Sequence, residues 1–109
     1  MEIRKLNISE LTPNEWNPNI IDKRKFNILV SNIKRDGMLQ PILVRKVGDS
    51  HQIIDGYHRW KASKKAGLKD ITCIIVASDD EEAKLKTLSF NTLRGENDEA
   101  KLKSLLNGL

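Results

Sequence analysis

Between Asp22 and Gly37 the apolar residues Phe26, Leu29, Val30 and Ile33 recur at three- and four-residue spacing, which places them on one face of a helix. Asp22 stands ahead of them as an N-cap and Asp36-Gly37 behind, so the pattern predicts a helix over Lys23–Arg35 that Gly37 stops. Before it, Ile3–Ile8 alternates imperfectly and reads as a strand, and Thr12–Asn19, with two prolines and three asparagines, reads as a loop. After it, Pro41–Val47 and Gln52–Ile54 are two strands joined by the turn Gly48-Asp49-Ser50. A helix from about His58 to Ala66 follows, stopped by Gly67. Ile71–Val76 is apolar on both sides and is expected to lie centrally in a sheet. Ser78 and Glu81 have the spacing of a capping box for a helix running to about Leu93, and a last short helix is expected to carry Leu102, Leu105 and Leu106.

These elements predict one α+β domain over residues 1–109, a mixed sheet with flanking helices and no repeat or linker. Charged residues make up 31% and hydrophobic residues 39%, an ordinary globular balance. No apolar run is long enough to cross a bilayer, and Met1–Lys5 lacks the pattern of a signal peptide, so a cytoplasmic location without membrane partners is expected. The single Cys73 rules out an internal disulfide or a cysteine metal cluster, and its apolar neighbours predict a buried core thiol. A net charge of +4 favours anionic partners weakly.

The strongest chemical signal is Asp55-Gly56-Tyr57-His58-Arg59-Trp60, where a strand ends and a helix begins within two residues. The N–H groups of a helix start converge where the macrodipole favours negative charge, and a glycine lets a phosphate approach without a Cβ in the way. Arg59 adds a planar fork for two phosphate oxygens and His58 a further donor, while Asp55 suits Mg²⁺ binding, orientation of Arg59 or proton transfer. The residues alone also fit an ordinary Asp-Gly turn, with Tyr57 and Trp60 as core packing.

Four blocks extend the signal: Leu11–Pro18, Ile33–Arg45, Ile54–Ala62 and Asn91–Asp98. In this order and spacing the sequence resembles the N-terminal domain of the ParB/sulfiredoxin superfamily over nearly its whole length. The resemblance implies a nucleotide site in which Gly37, Gln40 and Pro41 line the base and ribose side. Gly56, His58 and Arg59 would hold phosphates, and Asn91 and Arg94 would close over them.

Departures from the family patterns bear on the chemistry. Sulfiredoxins use the cysteine of Gly-Cys-His-Arg, a position held here by Tyr57, which makes that activity incompatible with this chain. The CTP-dependent partition clamps carry Gly-Glu-Arg-Arg, against Gly56-Tyr57-His58-Arg59, and read DNA through a later helix-turn-helix module; the residues after Asn97 are too few for one, so the sequence is either a fragment or does not read DNA by that route. Free-serine kinases share a nearly identical Asp-Gly-His-His-Arg-Trp segment and a glutamate in the first loop, matched here by Glu15. Short proteins known as ParB-like nucleases share Asn-x-x-x-Gly-x-x-Asp, found here as Asn91 to Asp98, although no nuclease-like carboxylate cluster accompanies it.

The combined expectation is binding of ATP, ADP or CTP with Mg²⁺, and slow hydrolysis or phosphoryl transfer. Glu15 and Asp55 are the candidate catalytic carboxylates, with Asp55 also a candidate metal ligand. Lys61, Lys64 and Lys65 form a basic stripe that could meet DNA, or be a solvated helix face. The alternatives are a DNA-associated module with a regulatory nucleotide or a small-molecule kinase, and a homodimer is compatible with each.

Overall fold

The structure, a computed structural model, describes residues 1–16, 20–38 and 40–94; the side chains of 91–94 lie outside the description. The Asn97–Leu106 segment expected to hold a last helix also falls outside it. Five strands form one sheet: β1 (Glu2–Asn7), β2 (Leu11–Thr12), β3 (Ile42–Val47), β4 (Ser50–Asp55) and β5 (Asp70–Ile75), in the order β1-β5-β3-β4-β2. The helices are α1 (Lys23–Asp36), α2 (Tyr57–Ala66) and α3 (Asp80–Arg94). The mixed α+β architecture expected from the sequence is therefore present. Pairing is antiparallel for β1·β5 and β3·β4, and parallel for β3·β5 and β2·β4.

Two details differ from the pattern reading. β5 lies one strand in from the edge, and β3 takes the centre. Ile71 and Cys73 of β5 enter the core, while Thr72 and Ile74 on its other face are half-buried. The cap of α3 is Asp79, whose Oδ1 accepts from the N–H of Glu82 at 2.8 Å, one residue later than the Ser78/Glu81 pair. The Ser78 hydroxyl instead donates to the carbonyl of Asp79 at 3.3 Å.

Alternation along the strands sets the core. Leu6, Ile42, Val44, Ile53, Ile71 and Cys73 share one cluster with Trp60 of α2. Val30 and Ile33 of α1 meet Ala62 of α2 in a second cluster, so α1 reaches the sheet through α2. Opposite Leu43 and Val44, β4 carries one extra residue: Leu43 pairs with Asp55 and Val44 with Ile53, leaving Ile54 as a bulge.

Cys73 is fully buried, as expected, and removal from water pushes its thiol up to about 11 from an ordinary 9.0, with the charge of Glu10 adding to the effect. A thiol raised in the folded state favours folding below its unfolded pKa, and that contribution is lost as pH rises through the folded value. Stability should thus decline between about pH 9 and pH 11, and less so in Cys73→Ala when melting is followed across that window. Alkylation at pH 8 should be slow until denaturant is added; rapid labelling of the native chain would contradict the buried assignment.

Candidate nucleotide site

The site is built where β4 runs into α2. Gly56 caps α2 with φ +108° and ψ 24°, a left-handed geometry that L side chains rarely adopt. A Cβ at this position would lie 3.0 and 3.3 Å from the side chain of Ile42 and 3.1 Å from Arg59 Nη2. The glycine therefore keeps the turn tight against both the core and the arginine. It offers no side-chain cap, and the first turn of α2 carries no acidic residue, which leaves the anion-attracting character of that helix end unopposed within its own first turn.

Arg59 is part-buried and stitches three segments together. Its Nη1 donates to Gln40 Oε1 at 3.0 Å and to the Pro41 carbonyl at 3.2 Å, and its Nη2 meets Asp55 Oδ2 at 3.2 Å. The side chains of Arg59 and Asp55 are only 16% and 12% exposed. The structure thus brings together Asp55, Gly56, Arg59, Gln40 and Pro41, five residues drawn from two separate blocks of sequence. The guanidinium holds parts of its own chain together. His58 sits beside them, half-buried, with its ring edge-on to Tyr57 at 5.2 Å.

Two clefts open near this turn. One of 250 Å³ has Arg59, Gln40 and Gly37 in its lining, with the apolar Leu29, Ile33 and Met38 and the polar Asn32, Arg35 and Asp36 of α1. Another of 240 Å³ is lined by Ile21, Lys23, Phe26, Tyr57, His58 and Lys61. Gly37, Gln40 and Arg59 therefore share one cleft, while His58 lines the other.

The lysines of the basic stripe are exposed, and each stands over an aromatic ring. Lys61 Nζ lies 6.0 Å from the Tyr57 ring, Lys64 Nζ 4.6 Å from Trp60 and Lys65 Nζ 5.8 Å from Phe26. With Pro13 these residues wall a 620 Å³ groove. Trp60 is at the same time core, as its residue type suggested, with Nε1 donating to the Ile8 carbonyl at 3.3 Å.

Glu15 lies exposed in the turn that leaves β2 toward the Asp55 end of β4. Its neighbour Asn14, which the pattern placed in a plain loop, is buried and anchors that turn: Nδ2 donates to the Ile53 carbonyl at 2.7 Å and to Thr87 Oγ1 at 2.9 Å, while Oδ1 accepts from the N–H of Trp16 at 3.0 Å. Arg45 was likewise missed. It is buried, bonds Gln52 at 2.8 Å, the Ser78 carbonyl at 3.1 Å and Asp80 at 2.6 Å, and fixes the start of α3. Lys46 beside it in β3 is charged too but exposed, so charge alone did not mark Arg45 as the buried one. Asn91 and Arg94 lie in the last turns of α3, with side chains outside the described residues.

A model of the ParB N-terminal domain matches residues 1–92. The chain belongs to that family. Over 94 residues it is 37% identical to the probable chromosome-partitioning protein ParB of Coxiella burnetii, covering 85% of this chain and 32% of that one. It therefore spans about a third of the length of this curated relative. Among solved structures, the C-terminally truncated ParB of Caulobacter crescentus complexed with CTP-γ-S superposes with a TM-score of 0.78 at 30% identity, covering 86% of this chain and 54% of that one. The same protein complexed to the centromeric parS site gives 0.76 at 26% identity, with 94% and 54% covered. Sulfiredoxin from Arabidopsis thaliana gives 0.66 at 26% identity, with 79% and 97% covered. The ParB/sulfiredoxin fold inferred from the four sequence blocks is thus the fold observed.

Proposed function

We propose that this domain binds a nucleoside triphosphate across the Gly56 turn, with the base in the Gly37–Gln40 cleft and the phosphates at the start of α2. The observation that carries this is the Arg59 fork, which ties Asp55 to Gln40 and Pro41 across that turn. Gly56 and His58 receive phosphates, and Asn91 and Arg94 close the site from α3. The likeness to a ParB solved with CTP-γ-S favours cytosine as the base. Glu15 or Asp55 then accepts a proton from the attacking water or hydroxyl, giving slow hydrolysis or transfer.

No group of three or more His, Cys, Asp and Glu stands together among the described residues. The donor set therefore fits a Mg²⁺ that arrives with the phosphates and takes Asp55 as its protein carboxylate, the usual habit of that ion. Calorimetric titration with CTP, ATP and ADP, each with Mg²⁺, tests the reading. Saturable binding of CTP in preference to the adenine nucleotides is expected, and heats indistinguishable from dilution for all three would refute it.

A second reading rests on the lysine–aromatic groove and on the parS complex of the Caulobacter protein. In it the same chain meets DNA phosphates through Lys61, Lys64 and Lys65. Replacing all three by glutamine should abolish any DNA retention seen at 50 mM salt, and raising salt to 200 mM should weaken it at least about tenfold by counterion release. Retention that ignores both changes would dismiss this reading.

A further inference from the structure

The Glu15 turn, the strand end that carries Asp55, and α3 come from distant parts of the chain and share a single buried polar junction. Thr87, 1% exposed, shares its one hydroxyl hydrogen between the Ala83 carbonyl of its own helix at 2.9 Å and the Ile54 carbonyl at 3.1 Å. The same oxygen accepts from Asn14 Nδ2, and Asn14 also holds the Ile53 carbonyl. The two carbonyls belong to the bulge residue and its predecessor, immediately before Asp55 and Gly56. One hydroxyl and one amide thus lock three elements at the root of the site.

Helix geometry extends the argument. Positions 91 and 94 follow Thr87 at i+4 and i+7, the spacing of one helix face. At about 1.5 Å per residue they lie roughly 6 and 10 Å further along α3. The face that Thr87 presses onto the end of β4 is therefore the face that carries Asn91 and Arg94 onward. A second tether, Arg45 to Asp80, holds the opposite end of α3, where none of the site residues stands.

We infer that the Asn14–Thr87 junction is the positioning device of the nucleotide site, setting α3 and the Glu15 turn in register with Asp55 and Gly56. This rests on the nucleotide reading above. The Arg45–Asp80 tether contributes to the fold without this role, and the contrast separates positioning from general stability.

The test compares affinity for CTP, ATP and ADP with Mg²⁺ in four proteins at a temperature where all are folded by circular dichroism. Thr87→Val, close in shape but lacking the hydroxyl, should weaken binding about tenfold, while Thr87→Ser should stay within about twofold of the unaltered chain. Asp80→Ala, which frees the other end of α3, should also stay within about twofold. Should Thr87→Val fail to fold, Asn14→Ser carries the same expected tenfold loss. Unaltered affinity in Thr87→Val, or an equal loss in Asp80→Ala, would overturn the inference while leaving the site itself in place. An unaltered chain that binds none of the three nucleotides would overturn the underlying reading, and this inference with it.

Discussion

Replacing Arg59 by alanine should weaken nucleotide binding by at least about a hundredfold and also lower the melting temperature. The first effect follows from the fork's place in the proposed site: Arg59 ties the base side to the Gly56 turn, and loss of two charge-assisted bonds of about 1.5–3 kcal/mol each exceeds the ~2.7 kcal/mol that a hundredfold represents. The second follows from the structure, which adds Gln40 and the Pro41 carbonyl to the Asp55 partner that the sequence offered. Arg59 already holds Gln40, the Pro41 carbonyl and Asp55. Its loss leaves a carboxylate only 12% exposed without its arginine. A stability cost of about 1–3 kcal/mol is reasonable for that, equivalent to roughly 5–15 °C in a domain of this size. Arg59→Lys should restore part of the stability and little of the affinity, because an ammonium cannot reproduce a planar fork. If alanine leaves Tm unchanged, the stitching role is wrong. If it leaves affinity unchanged, the site is elsewhere.

Gly56→Ala should be the most damaging alanine substitution among the described glycines. It forces an L side chain to φ +108° and drives its Cβ to 3.0 Å from an Ile42 that is wholly buried and has no room to yield. Backbone strain of about 1–2 kcal/mol and overpacking of about 1–3 kcal/mol add in the same direction. The same methyl also meets Arg59 Nη2 at 3.1 Å, so binding should fall together with stability. Gly67→Ala is the control. Its φ of +89° imposes comparable strain, but nothing lies within 4 Å of the added carbon. Melting curves of the two variants isolate the packing component, and equal losses would show that the close approach at Gly56 carries no energy.

Much of this was readable from residues a few positions apart. The limits of α1 follow from Asp22, whose Oδ1 accepts from the N–H of Arg24 at 2.7 Å and of Lys25 at 3.3 Å, and from Gly37 at φ +78°. The hairpin, the Gly56 turn and the Gly67 stop are equally local. β2 was not legible because two residues, paired to β4 at Leu11↔His51 and Thr12↔Gln52, leave no alternation to detect. The Asn14–Thr87 contact spans 73 positions, and polar pairing at that separation leaves no period in a sequence. Thr87 did carry a faint sign, a polar residue one turn after Ala83 on the buried face of α3. Arg59 was found for its charge, yet its inward bonds to Gln40 and Asp55 depend on how α2 is aimed, which local pattern does not specify.

The bulge at Ile54 has a consequence for how this domain tolerates changes in length. Because Leu43 faces Asp55 while Val44 faces Ile53, the strand reaches the Gly56 turn one residue out of step with its partner. Bulges bend a strand and re-aim its end. Deleting Ile54 would mend the ladder and straighten the edge, yet swing Asp55 and Gly56 off the line that Arg59 draws to Gln40. The hairpin turn at Gly48, at the opposite end of β4 from Gly56, should gain or lose residues with little penalty; the count from Ser50 to Gly56 should not. That short span works as a ruler, and the aim of the site is measured out along it.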